Sequence, residues 1–174
     1  MQTLREELAK SDEPLQSQYL DALIKETGRH YSSIADLRLS RQRVQLRHFP
    51  DTPPIPAGAV VSISPYLTHH DPATWLLPDT WYPERWLEDP NLATRLKSNG
   101  EIWYMPFGAG SHRCPGEKLA IRISAVVVKK IAEEARVGWG KGGPVRDQST
   151  GDLDFTKIGS PWLKGDVRVR FERK

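Results

Sequence analysis

The chain contains one cysteine, Cys114, and the residues around it are the ones best suited to chemistry. Residues 107–116 read Phe-Gly-Ala-Gly-Ser-His-Arg-Cys-Pro-Gly. Glycines at 108, 110 and 116 let the backbone fold tightly against a flat ligand. A helical pattern begins directly after the cysteine, so Cys114 stands at a helix start. Free N–H groups and the helix dipole favour a thiolate there. A thiolate donates strongly to a metal, and a haem iron so ligated is primed for O–O cleavage. Taken singly, a free cysteine is most often a small buried apolar side chain. A single cysteine also excludes an intrachain disulfide and any multi-cysteine zinc or iron–sulfur site.

Two further groups carry charge at suggestive spacing. Glu26 and Arg29 lie three residues apart within a helical pattern, and Arg85 sits in Pro83-Glu84-Arg85-Trp86. Pairs like Glu26 and Arg29 are commonly exposed and weakly stabilising. Glu26, however, follows Leu23 by three residues, beside the apolar face, which points to partial burial. His69 and His70 are adjacent and should point in different directions, which argues against a metal pair.

The elements that must hold these residues are legible from periodicity. Residues 1–10 read as the end of a helix, and Ser11, Asp12 and Pro14 as the start signal of the next. Apolar residues at Leu15, Tyr19, Leu20, Leu23 and Ile24 predict a helix over 15–29, with Gly28 as a mild breaker near its end. Leu37 and Leu39, then Val44 and Leu46, predict two short strands, and residues 59–63 (AVVSI) a compact buried one. Residues 65–105 hold five prolines (65, 72, 78, 83 and 90) and Trp75, Trp81, Trp86 and Trp103. Such a stretch cannot form long regular elements and must be held by aromatic packing. Residues 115–136 predict a second long helix, apolar nearly all round over 125–128, which calls for burial on more than one side. Val167, Val169 and Phe171 alternate with charged residues as a final strand.

The bulk properties set limits. With 174 residues, 38% hydrophobic and 27% charged, the chain reads as one globular domain rather than a disordered one. Its 25 basic and 22 acidic residues are interspersed without a long basic run, which gives nucleic-acid binding little support. The polar start, MQTLREELAKSDEP, reads as neither signal peptide nor anchor, and no apolar run approaches a bilayer-spanning length. Taken as given, the chain is expected to be soluble.

The decapeptide is similar to the haem-binding loop of the cytochrome P-450 family, Phe-Gly-x-Gly-x-(Arg/His)-x-Cys-x-Gly. Phe107, Gly108, Gly110, His112, Cys114 and Gly116 all match it. Glu26-Thr27-Gly28-Arg29 resembles the family's E-x-x-R motif, and Pro83-Glu84-Arg85-Trp86 its P-E-R-F/W motif. Pro56-Ala57-Gly58, Pro65-Tyr66 and His70-Asp71-Pro72 look like the intervening segment of eukaryotic microsomal members. The resemblance implies an α+β fold, the C-terminal part of the cytochrome P-450 fold. Two main helices, short strands and a long Pro/Trp-rich loop region would form a single partial domain over residues 1–174.

The same resemblance implies the roles. Cys114 would be the axial ligand of the iron in haem b, with Phe107, Gly108 and Gly110 shaping its loop. His112 and Arg38 would meet the haem propionates. Glu26, Arg29 and Arg85 would form a buried network that is structural rather than catalytic. The Gly159-Ser160-Pro161-Trp162 turn resembles a substrate-recognition turn. Compared with complete members, the N-terminal half of the fold is expected to be missing, including the distal helix, most substrate-contacting segments and the membrane anchor. No catalytic residue is therefore assignable, and the apolar middle of the second helix is expected to be left partly exposed. The implied activity is O2-dependent oxidation of a small, lipophilic organic substrate, with electrons from NADPH through a reductase. Full-length relatives would sit at the endoplasmic reticulum membrane. A shortened member repurposed as a cyclase or isomerase, or a non-catalytic haem-binding or interaction module, are the alternatives. A homodimer or a partner supplying the missing half would cover the exposed face.

Overall fold

Two apolar clusters share one helix, and the site is built on that shared wall. The computed structural model describes residues 2–10, 12–32, 35–47, 49–89, 91–92, 102–139, 153–154, 162–163 and 169–173. A first helix, α1 (Gln2–Leu8), leads through a 3-10 turn at Pro14–Gln16 into α2 (Gln18–His30). The start signal expected at Pro14 thus opens only a single turn, and α2 begins after Ser17. Ser17 displaces the boundary because its hydroxyl caps the Leu20 amide at 3.1 Å while donating to the Glu7 carboxylate at 2.6 Å.

Leu20 of α2 packs with Leu4 and Leu8 of α1 and with Ala125 and Ala132. The latter two belong to the long helix near the chain's end. The opposite side of α2 presents Ala22 to Trp75, Trp86 and Leu92, with Trp103 and Tyr104 packed on their edge. α2 is therefore enclosed on both sides, and the polar residues on its second face are enclosed with it.

After α2, β1 (Asp36–Leu39) pairs antiparallel with β2 (Val60–Ile63), Asp36 opposite Ile63 and Leu39 opposite Val60. Two expectations fail here. The strand expected over Val44 and Leu46 reduces to a single bridge between Val44 and Ile55. The strand expected to be buried is largely open, with Val60 67% and Ile63 46% exposed. A two-stranded ribbon can cover only one of its faces with its neighbours, and β-branched composition does not say which.

The proline-rich region folds into α3 (Pro65–His69) and α4 (Arg85–Glu88), joined by turns. Aromatic contacts hold it, with Trp75 and Trp86 ring centroids 5.9 Å apart and Trp86 and Tyr104 4.8 Å apart. The second long helix, α5 (Glu117–Glu134), starts two residues later than the pattern indicated, with Gly116 at its N-cap. It runs directly into β3 (Ala135–Trp139). Two short segments, β4 (Leu153–Asp154) and β5 (Trp162–Leu163), pair with each other, and β6 (Val169–Arg173) pairs antiparallel with β3. Pro90, Val167 and the Gly159, Ser160 and Pro161 positions of the suspected recognition turn lie outside the described residues.

α5 is anchored at its C-terminal end by Arg5, whose guanidinium donates to the Ala132 and Ala135 carbonyls at 3.1 and 3.0 Å. Ala125 and Ala132 face the core, while Leu119, Ile123, Val126 and Val127 form a stripe that is 49–63% exposed. The burial on more than one side that its apolar middle calls for is met on one side only.

Gly28 does not end α2, which continues to His30. A Cβ placed there would lie 3.1 Å from Pro106 Cβ and 3.5 Å from the Tyr104 hydroxyl. The missing side chain lets the cysteine loop's leading segment lie directly on the helix. A Gly28→Ala change at an open helical site would stabilise by about 1 kcal/mol. Here the rigid Pro106 ring should cancel most of that gain. Denaturant unfolding checks it: a full gain of about 1 kcal/mol would show that the contact with Pro106 is loose.

Candidate functional site

The centre of the site is the Glu26 carboxylate, fully enclosed between α2 and α4. Arg29 grips it with two bonds, Nη2 to Oε1 at 2.8 Å and Nε to Oε2 at 3.0 Å. The Arg85 Nε reaches both oxygens, at 3.3 and 3.2 Å. The Tyr82 backbone N–H donates to Oε1 at 2.9 Å, and the Trp86 indole N–H donates to Oε2 at 3.0 Å. A buried carboxylate needs this many donors, because taking the charge out of water costs several kcal/mol. Burial alone would raise the Glu26 pKa. Hydrogen bonds from Arg29 and Tyr82, with the charges of Arg29 and Arg85, outweigh it and hold the carboxyl below its usual range.

Beyond Glu26, the two guanidiniums bond mainly to backbone carbonyls, and Arg29 Nη2 also lies 3.3 Å from His30 Nδ1. Arg29 donates to those of His69 at 2.8 Å, Pro78 at 2.7 Å and Thr80 at 3.1 Å. Arg85 donates to those of Leu76, Leu77, Thr80 and Tyr82. Leu77 adopts φ +50°, a left-handed conformation that a branched side chain avoids, and Arg85 binds the carbonyl that this conformation presents. Trp75 stacks over Arg29, its ring centroid 5.4 Å from the guanidinium carbon, and closes the second face.

From this centre the structure runs outward to the cysteine. His69 is fully buried, and its ring is held at both nitrogens. Nδ1 lies 3.2 Å from the Arg29 carbonyl, and Nε2 accepts the Met105 N–H at 2.8 Å. Burial drives its pKa down to about 4, with the neighbouring charge of Arg29 acting in the same direction. The Tyr104 hydroxyl donates to the Lys25 carbonyl at 3.1 Å, and burial pushes its pKa up, so it remains a donor.

The loop then turns on itself. Gly108 N–H donates to the Met105 carbonyl at 3.0 Å, and Cys114 N–H donates to the Phe107 carbonyl at 2.9 Å. Gly108 and Gly110 have φ of +74° and +65°, values that only glycine adopts without strain. Cys114 is a free, exposed thiol, and the loop's 3-10 turn at Gly110–His112 precedes it. Arg113 forms a two-bond ion pair with Glu117 across the loop-to-helix junction. A cleft of about 110 Å³ beside the loop is lined by Tyr104, Phe107, Gly108, Gly110, Arg113 and Glu117.

Glu26, Arg29 and Arg85 are thus gathered in one buried network, and Phe107, Gly108, Gly110, His112 and Cys114 in one loop, the first two half-buried and the last three exposed. Arg38 lies apart from both, on β1, bonded to the Leu37 carbonyl at 2.8 Å and 3.9 Å from Asp36. The start of β1 does reach the loop: a Cβ on Gly108 would lie 3.5 Å from Asp36 Oδ2. Sequence reasoning missed Trp86 and His69 as members of the polar system. Trp86 had a signal, since it adjoins Arg85 in the Pro-Glu-Arg-Trp stretch. His69 had none, because its partners are a distant amide and a backbone carbonyl.

By sequence the chain belongs to the cytochrome P450 family, whose model matches residues 8–156. It is similar to the cytochrome P450 monooxygenase pytD of Aspergillus terreus, 54% identical over 99% of this chain and 46% of that protein. It is also similar to the cytochrome P450 monooxygenase pynD of Aspergillus niger, 43% identical over 99% of this chain and 36% of the relative. Trans-cinnamate 4-monooxygenase of Petroselinum crispum is 32% identical over 66% of this chain. The chain spans less than half the length of these curated relatives.

Removing one member of a buried ion pair strands the rest, which typically costs about 3–5 kcal/mol. Arg85→Ala or Glu26→Gln should destabilise the chain by about that amount in denaturant unfolding. A loss under about 1 kcal/mol would show that the network is no more than a surface-grade pair. The pH dependence carries a sign. His69 titrates at about 4 in the folded chain against an ordinary 6.5, so the folded state resists its protonation. Its contribution is complete above about 6.5 and is lost as pH falls toward 4. Glu26 adds a further loss below its ordinary 4.5, as pH falls through its depressed value. Unfolding midpoints measured across this range should fall with pH, and a flat profile would contradict both assignments.

Proposed function

We propose that this chain is the haem-binding portion of a haem-thiolate monooxygenase, with Cys114 as the axial ligand of the iron. The observation that carries the reading is the exposed Cys114 thiol on a loop shaped by two left-handed glycines. The residues present fit a flat, iron-centred group. Nothing lies within 4 Å of a Cβ on Gly110, so that side of the turn is open to a planar ligand. The soft thiolate and the imidazole of His112 are suited to an iron and to a propionate respectively.

Haem held by a thiolate supplies oxygen activation by pushing electron density toward O–O cleavage. The chain's own contribution is to fix the donor. Cys114 would supply the thiolate, its amide occupied by the Phe107 carbonyl so that the loop cannot slide. Phe107 would pack as an apolar wall beside it. His112, at the loop's exposed edge, and Arg38, on β1, would supply cationic or N–H donors to the propionates. The Glu26–Arg29–Arg85 network would hold the loop's underside rather than touch the reacting atoms.

The reaction class we infer is O2-dependent oxidation of a small organic substrate. The monooxygenase names of similar proteins support it. Such chemistry needs two electrons per turnover, which NADPH would provide through a separate reductase. No helix among the described residues is long and apolar enough to cross a membrane.

Hemin titration followed by reduction and carbon monoxide tests the assignment. The full chain should give the red-shifted Soret band of thiolate-ligated haem, and Cys114→Ala should lose it. Absence of the band in the unaltered chain would remove the haem-protein reading for this chain. Its persistence in the variant would show that another residue ligates the iron.

A further inference from the structure

The geometry points to His69 as the positioning residue that transmits the placement of the buried Glu26–Arg29–Arg85 network to the cysteine loop. His69 is 0% exposed and engages α2 twice. Its carbonyl accepts from Arg29 Nη1 at 2.8 Å, and its ring Nδ1 meets the Arg29 carbonyl at 3.2 Å. On the other side, Nε2 accepts the backbone N–H of Met105, 36 residues further along, at 2.8 Å. These partners dictate the ring's state. A carbonyl only accepts and an amide N–H only donates, so the imidazole must be neutral, with its proton on Nδ1.

Beyond Met105 the bonds continue without a gap. The Met105 carbonyl takes the Gly108 N–H, and the Phe107 carbonyl takes the Cys114 N–H. The path therefore runs from the Glu26 carboxylate through Arg29 and His69 into the loop that carries the thiol. Neither arginine has a described bond to the loop itself; their carbonyl partners all fall between residues 69 and 82. His69 provides the polar crossing that starts from Arg29 itself. Further ties among the described residues include the Tyr104 hydroxyl on Lys25 and the packing of Pro106 on Gly28.

A simple packing role is the competing account. The His69 ring does lie 5.5 Å from the Tyr104 ring and 6.1 Å from Trp75. Packing, however, would be served by any ring of similar size, whereas positioning needs an acceptor aimed at Met105. Charging the ring would set an Nε2–H against the Met105 N–H. It would also add a cation beside Arg29 and next to His70, with only Glu26 opposing them. Those groups face it from α2 and from its own helix.

The test separates the two bonds. His69→Gln places a side-chain oxygen near the former Nε2 and can still accept from Met105. His69→Asn reaches only the Nδ1 position, and His69→Phe keeps volume with neither bond. Amide hydrogen exchange on the full chain without haem is the primary readout. Exchange over residues 102–114 should rise about tenfold in the Asn and Phe variants, as loss of one buried hydrogen bond allows. It should stay within about threefold of the parent in His69→Gln, with amides around Leu20 and Ala125 unchanged. Equal loop exchange in the Asn and Gln variants, or a rise spread evenly over the core, would overturn the positioning role. If the Phe variant fails to fold, the Asn and Gln pair decides alone.

The haem-dependent consequence rests on the function proposed above. In the reduced carbon monoxide complex, His69→Asn should lose part of the thiolate-type band that His69→Gln keeps. If the parent chain gives no such band, the haem reading fails while the exchange comparison still decides on His69.

Discussion

A carboxylate buried away from solvent has to be satisfied by the protein, and the architecture around Glu26 follows from that demand. Two guanidiniums, a backbone N–H and an indole N–H converge on its two oxygens. Each donor comes with a constraint. Arg29 sets the face of α2 that must turn inward, Arg85 and Trp86 set the entry of α4, and Tyr82 sets the chain just before it. The Trp75–Trp86–Tyr104 packing supplies the apolar shell that keeps water out. Without that shell the pairs would be worth little; without the pairs the shell would enclose an unpaired charge.

The cysteine loop stands at the opposite extreme. Its thiol is exposed, and its glycines at 108 and 110 serve backbone shape. Rigidity is borrowed from behind, through the Met105 amide, the Tyr104 hydroxyl and the approach of Pro106 to Gly28. Such a division suits the haem-binding role proposed for the loop, which would present one atom to a large flat group and still hold its position. Under that proposal, residues that do no chemistry would govern where chemistry occurs.

Much of this was legible in the sequence, and the remainder was hidden for definite reasons. Both long helices show in their periodicity because each buries one face against the other through Leu20, Ala125 and Ala132. The loop and its two partner motifs show because their residue types are individually constrained. Helix starts were displaced by two or three residues, since capping by Ser17 and Gly116 depends on local geometry rather than on the apolar pattern. The strand over 60–63 misled because valine and isoleucine are favoured on a pleated surface whether or not it is covered. Gly28 looked like a defect in the helix, and only the position of Pro106 shows why a side chain is missing there. His69 was unreadable because both of its ring partners are backbone atoms, which leave no trace in composition.

The segment between His69 and Tyr82 has almost no ladder or helix to hold it, and its carbonyls at 69, 76, 77, 78, 80 and 82 are gathered by Arg29 and Arg85 instead. Bonds of this kind address the main chain and ignore the side chains attached to it. Two fixed cations can therefore hold a loop of constant path whose exposed side chains, such as those of Leu76, Asp79 and Thr80, take no part in these bonds. The shape here is set by two arginines and the main chain they grip, so the surface they support could be redesigned without redrawing the loop.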